Sequence, residues 1–137
     1  MFLVDLLSAI SFIPASATGF IMHWVGHWNN HELWHNCAVA HILSTLLFVI
    51  TIILHIYYHR GWYKSLFKVG LKNKNRVTIV LTILMLVLVV SGNIVLLRHQ
   101  GPNSHLGIWH YVGGIIFSII AVGHFLKRCK MLYKALK

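Results

Sequence analysis

The sequence predicts an all-α integral membrane protein, a four-helix up-down-up-down bundle in which residues 1–137 form a single transmembrane domain. Three observations carry this reading. Only 10% of the residues are charged and 58% are hydrophobic, against roughly 25% charged in a soluble domain. Four apolar runs, Phe2 to Trp24, Trp34 to Tyr58, Val77 to Leu97 and Trp109 to Leu126, reach the ~20 residues needed to cross a bilayer core. The connections between them are short, so consecutive helices are expected to be antiparallel neighbours.

The net charge of +10 would suggest nucleic acid in a soluble protein, but its distribution excludes that class. Eleven of the twelve Lys and Arg lie on one side: Arg60, Lys64, Lys68, Lys72, Lys74 and Arg76 around the second connection, and Lys127, Arg128, Lys130, Lys134 and Lys137 after the last span. Only Arg98 lies on the other side. The positive-inside rule places this rim and both termini in the cytoplasm, as for a multi-pass protein of a prokaryotic inner membrane. Contact with anionic lipid accounts for the rim.

The first span contains Pro14, where a kink is expected, with Ser11 nearby to satisfy the freed backbone. Its PASA segment resembles a signal-peptidase site. Asp5 interrupts the apolar core and no basic residue precedes it, so the segment is read as a retained span. Cys37 and Cys129 are expected at opposite faces, too far apart for a disulfide. There is no Cys-x-x-Cys-His, so any haem would be held without thioether links.

The second span carries His41 and His55, fourteen residues apart, and the fourth carries His110 and His124 at the same spacing. Fourteen residues are ~3.9 turns of helix, so each pair shares one face, with members about 21 Å apart along the axis. Histidine within a span is costly unless partnered, which makes four of them in matched pairs a functional feature. One offset, 69 residues, relates both pairs, and TGFIM at 18–22 has a counterpart in SGNIV at 91–95. The chain therefore reads as a duplicated two-helix unit. Gly19 and Gly92 are placed where a flat ring could approach the backbone; small-residue helix packing is the other reading. In an up-down bundle the second and fourth spans are parallel, so His41 is expected to face His110 near the outer leaflet, and His55 to face His124 near the inner one. Bis-imidazole ligation of haem iron suits electron transfer, because both axial positions are filled. Thr51, one turn before His55, is a candidate outer-shell partner. Arg60 and Lys127 are candidates to neutralise inner propionates, and Arg98 outer ones.

These residues, together with LHIYYHRGWYKSLFK and WHYVGGIIFSIIAVGHFLKR, resemble the small bacterial four-helix di-haem membrane cytochromes b, long catalogued as a domain of unknown function. The resemblance covers nearly the whole chain. It implies two b haems ligated by His41, His110, His55 and His124. It also implies transfer of electrons across the membrane between quinone and redox partners, often extracytoplasmic flavin or multihaem proteins.

The first outer connection, HWVGHWNNHELWHN, lies outside that pattern. His23, His27, His31 and His35 recur every four residues and drift ~40° per step on a helix, so adjacent members can share a metal but all four cannot line up. With Trp24, Trp28 and Trp34 they also fit an interfacial aromatic segment. His27, His31, Glu32 and His35 are candidates for an outer-face metal or quinone site; the opposing connection adds His99 and His105. HELWH matches H-E-x-x-H, in which two histidines one turn apart bind zinc and the glutamate activates water. HELWHNCAVAH extends it to His41, where a metzincin places its third ligand, with Ala38 in place of the turn glycine. A membrane-embedded zinc hydrolase and an outer-face metal-binding or transport protein are thus the alternatives. The haem and zinc uses of His41 exclude each other.

No nucleotide-binding loop, Ser-His-Asp triad or soluble flavin domain appears, so the chain alone is not expected to catalyse a complete metabolic reaction; the histidine pairs and the resemblance imply an electron-transfer cytochrome or oxidoreductase subunit. Asp5 lies near one face and Glu32 near the other, with no carboxylate between them, which argues against a proton-pumping relay.

Overall fold

In the computed structural model, which describes residues 2–28, 30–69, 76–98 and 104–135, the described chain is entirely helix and short turn. α1 spans Phe2–Val25, α2 His31–Tyr58, α3 Arg60–Val69, α4 Arg76–Leu97 and α5 His105–Ala135. α1, α2, α4 and α5 are each long and apolar enough to cross a membrane. The protein is an all-α, multi-pass membrane protein. His99, Lys72, Lys74 and Lys137, and the side chains of Lys68, Lys130 and Lys134, lie outside the described residues.

The helix starts differ from the expected boundaries for a local reason. Asn30 caps α2, its side chain accepting the Leu33 N–H at 3.0 Å. Ser104 does the same for α5, accepting the Gly107 N–H at 3.0 Å. A side-chain oxygen that satisfies an orphan amide starts a helix before its apolar run begins. α2 therefore opens at His31 rather than Trp34, and α5 at His105 rather than Trp109. α3 replaces part of an expected loop. In the sequence Trp62, Leu66 and Val69 recur at helical spacing opposite Arg60, Lys64 and Lys68, the pattern of a helix lying in a membrane interface.

The chain divides into two compact units, Met1–Gly70 and Leu71–Lys137. In the first, α1 packs antiparallel to α2. Asp5 meets His55, Ser11 meets Thr51, Phe12 meets Phe48, and Ala15 and Thr18 meet His41. The α2 contacts at 41, 44, 48, 51 and 55 form one stripe of alternating three- and four-residue steps. His41 and His55 therefore share a face, as their spacing predicts. Buried positions include Ser8, Ser11, Ala15 and Thr51, whereas Leu43, Leu46, Leu47, Ile50 and Ile53 are exposed. Small and hydroxyl residues let the backbones approach, and the large aliphatic side chains are turned away from α1.

α1 runs unbroken through Pro14. Ser11 does not serve Ile10, the carbonyl that Pro14 frees. Its hydroxyl lies 3.2 Å from the Ser8 carbonyl and 2.9 Å from Thr51 Oγ1. In the second unit α4 packs along α5, with Ser91 and Gly92 against His110 and Gly113 against Leu88.

Candidate functional site

Each unit contains an imidazole laid against a helical glycine. A Cβ built on Gly19 would stand 3.0 Å from His41 Cε1, and one built on Gly92 would stand 3.0 Å from His110 Cε1. The ring that approaches each glycine is thus the histidine of the neighbouring helix. A side chain at either position would crowd that ring, which would have to give for even a Cβ to fit.

The residue before each glycine carries a hydroxyl, and each hydroxyl bonds the imidazole. Thr18 Oγ1 lies 3.2 Å from His41 Nδ1, and Ser91 Oγ lies 2.9 Å from His110 Nδ1. Each hydroxyl also lies within hydrogen-bond distance of a carbonyl of its own helix, Thr18 of Pro14 and Ser91 of Leu88. His41 Nδ1 also donates to the Ala15 carbonyl at 3.1 Å. A carbonyl can only accept, so the His41 proton sits on Nδ1 and its lone pair on Nε2. That tautomer is the one a metal takes as a ligand.

At the other end of α2 the fixing group is charged. Asp5 Oδ1 accepts from His55 Nδ1 at 2.8 Å and from His59 Nε2 at 3.3 Å. The two rings lie 4.5 Å apart. Thr51, expected to support His55, instead donates to the Phe48 carbonyl and pairs with Ser11. A hydroxyl four residues back on the same helix is drawn to its own helix backbone, whereas Asp5 comes from the facing helix at the level of the ring. Asp5 and His59 are the neighbours of His55 that sequence reasoning did not bring to the site. The available signal was that an acidic residue inside an apolar span is functional by default.

His124 is half-buried on α5. Arg60 stacks on the Tyr57 ring at 4.6 Å, and Lys127 and Arg98 are exposed.

The outer-face candidates do not converge. His31 and Glu32 occupy the first turn of α2, where a carboxylate complements the helix dipole, and both are exposed together with His35. α2 continues straight through Ala38, and His41 turns towards Ala15 and Thr18. His27 Nδ1 donates to the His23 carbonyl at 2.9 Å, the two rings 5.2 Å apart, while Trp24 and Trp28 stack 5.5 Å apart. His105 is exposed. Among the described residues, the one set of three His, Cys, Asp or Glu donors within reach of a single ion is Asp5, His55 and His59. Neither His27, His31, Glu32 and His35 nor the extended HELWH motif assembles such a set. Cys37 and Cys129 are free thiols.

Trp34, two turns before His41 on the same helix, has a buried indole N–H with no acceptor among the described residues. A buried donor of this kind costs stability unless an acceptor meets it. No protein-family model, curated protein or solved structure matches this chain.

Proposed function

We propose that the protein is a b-type di-haem membrane cytochrome that passes electrons across the prokaryotic inner membrane between quinone and a redox partner protein, flavin or multihaem. The observation that carries this reading is the twice-built imidazole cradle. Thr18 and Gly19 hold His41, and Ser91 and Gly92 hold His110, each through Nδ1. Asp5 holds His55 through the same atom. Three of the four candidate ligands thus have Nδ1 engaged by the protein, which would leave Nε2 to hold a metal. The donor chemistry fits haem iron.

In this reading His41 and His110 would hold one haem and His55 and His124 the other; the pairing rests on the equal fourteen-residue spacing of the histidines in the sequence. Haem, when bound, would supply a one-electron iron couple. The protein orients the imidazoles, excludes water with apolar helices, and offers Arg60, Lys127 and Arg98 to propionate carboxylates. Trp34 Nε1–H is a donor that a propionate or quinone carbonyl would satisfy. The basic rim supports a cytoplasmic side for both termini and α3. The resemblance to small bacterial di-haem cytochromes b points the same way.

The test is a visible spectrum of the detergent-solubilised protein with haem and metals quantified. A reduced b-type spectrum with two haems per chain is expected, and His55→Ala should keep one. A colourless protein with stoichiometric zinc overturns the reading.

A further inference from the structure

We propose that Asp5 is a positioning residue that makes the His55 site the lower-potential of the two, so that electrons run downhill from the basic-rim end of the chain to the Trp-rich end. This inference rests on the di-haem reading above.

A carboxylate that accepts the Nδ1–H of a ligating histidine draws that proton towards itself and pushes electron density onto the ring. Nε2 then becomes a stronger donor and favours the oxidised metal. The negative charge adds a direct Coulomb term of the same sign. The Asp5 bond to His55, at 2.8 Å, is short enough for both effects. His59 donates to the same oxygen and holds it in place. Among the described residues, no Lys or Arg pairs with Asp5 to offset its charge, and the neighbouring Arg60 lies over Tyr57 instead.

At the other site the described Nδ1 partners are neutral. The chain has only two acidic residues, Asp5 and Glu32. Glu32 precedes His41 by nine residues on one straight helix, about 13.5 Å along the axis. His41 Nδ1 is bonded by a carbonyl and a hydroxyl, and His110 Nδ1 by a hydroxyl. The second unit has no acidic residue at all, and the offset that carries Gly19 onto Gly92 carries Asp5 onto Thr78. The duplication kept the neutral cradle and did not keep the carboxylate. One electron leaves the site at His55 and one arrives at the site at His41, with no bond formed or broken. A reduced one-electron redox protein supplies it at the first end, and an oxidised one-electron redox protein accepts it at the second.

The experiment is potentiometry on the purified full chain, following haem absorbance. The wild type should show two potentials. Asp5→Asn should raise the lower one by at least a tenfold change in its redox equilibrium, 59 mV for a one-electron couple, and leave the upper one in place. Thr18→Val should shift the upper one alone. Two bound haems with an unmoved lower potential, or a shift of the upper potential in Asp5→Asn, overturn the proposal and leave the di-haem reading intact. If Asp5→Asn loses a haem, Asp5→Glu decides: both haems with the low potential restored support the role of the carboxylate, and a missing haem or a raised potential overturns it. A colourless wild type whose bound zinc is lost in Asp5→Asn overturns both, and marks Asp5, His55 and His59 as a metal site.

Discussion

The imidazole cradles of the two units share a plan and differ in the bonds described around the hydroxyl. In both, a glycine gives the ring room and the preceding hydroxyl bonds Nδ1. In the first unit the Ala15 carbonyl adds a bond at 3.1 Å and Thr18 is itself tied to Ser44 at 3.2 Å. In the second, the Ser91 bond is shorter, at 2.9 Å. Hydroxyl and histidine are 23 residues apart in one unit and 19 in the other, a difference of about one helical turn absorbed between the helices. What the two units share is the close approach of ring to backbone, while the length of chain that produces it differs.

Replacing the glycines tests the shared plan most severely. Gly19→Leu and Gly92→Leu should each displace the imidazole and halve the haem per chain, as measured by pyridine haemochrome absorbance. A loss in only one of them would show that the cradles are not equivalent. The hydroxyls probe the difference. Ser91→Ala should weaken haem retention about 10–100-fold, the usual cost of an outer-shell partner. Thr18→Val should cost only a few-fold, because the Ala15 carbonyl still accepts from His41. Equal losses in a haem-release assay would remove the redundancy from the account.

Smaller effects separate packing from ligation. Thr51→Val removes the buried pair with Ser11 and should cost ~0.6 kcal/mol, the average of polar contacts between membrane helices. Thermal unfolding in detergent measures it, and haem content should not change. Glu32→Ala should have the least effect, with spectrum and haem content unaltered. A fall in haem content would return the HELWH segment to the site.

Much of this was legible in the sequence. Charge scarcity and run length locate the four spans, and the fourteen-residue spacing puts His41 and His55 on one stripe of α2, because both features depend only on local period. Gly19 and Gly92 stand out as places for a flat ring, but their contact with His41 and His110 required the neighbouring helices. α3 escaped notice because its amphipathic pattern is ten residues long and dense in charge, which reads as a loop. HELWH read as a ligand set because its spacing fits one helical turn, yet spacing does not say which way an exposed turn faces.

The sequence by itself determined how many helices cross the membrane, which histidines share a face, and that Asp5 is one of only two acids in the chain. Only the tertiary structure decided what each imidazole bonds: Thr18 and Ala15 for His41, Ser91 for His110, Asp5 for His55. The physical reason is that a hydrogen bond needs its partners within about 3 Å. Which residue of an antiparallel neighbour arrives at that distance depends on where the helices are capped and how closely small residues let them pack. Neither is written in the period of one helix.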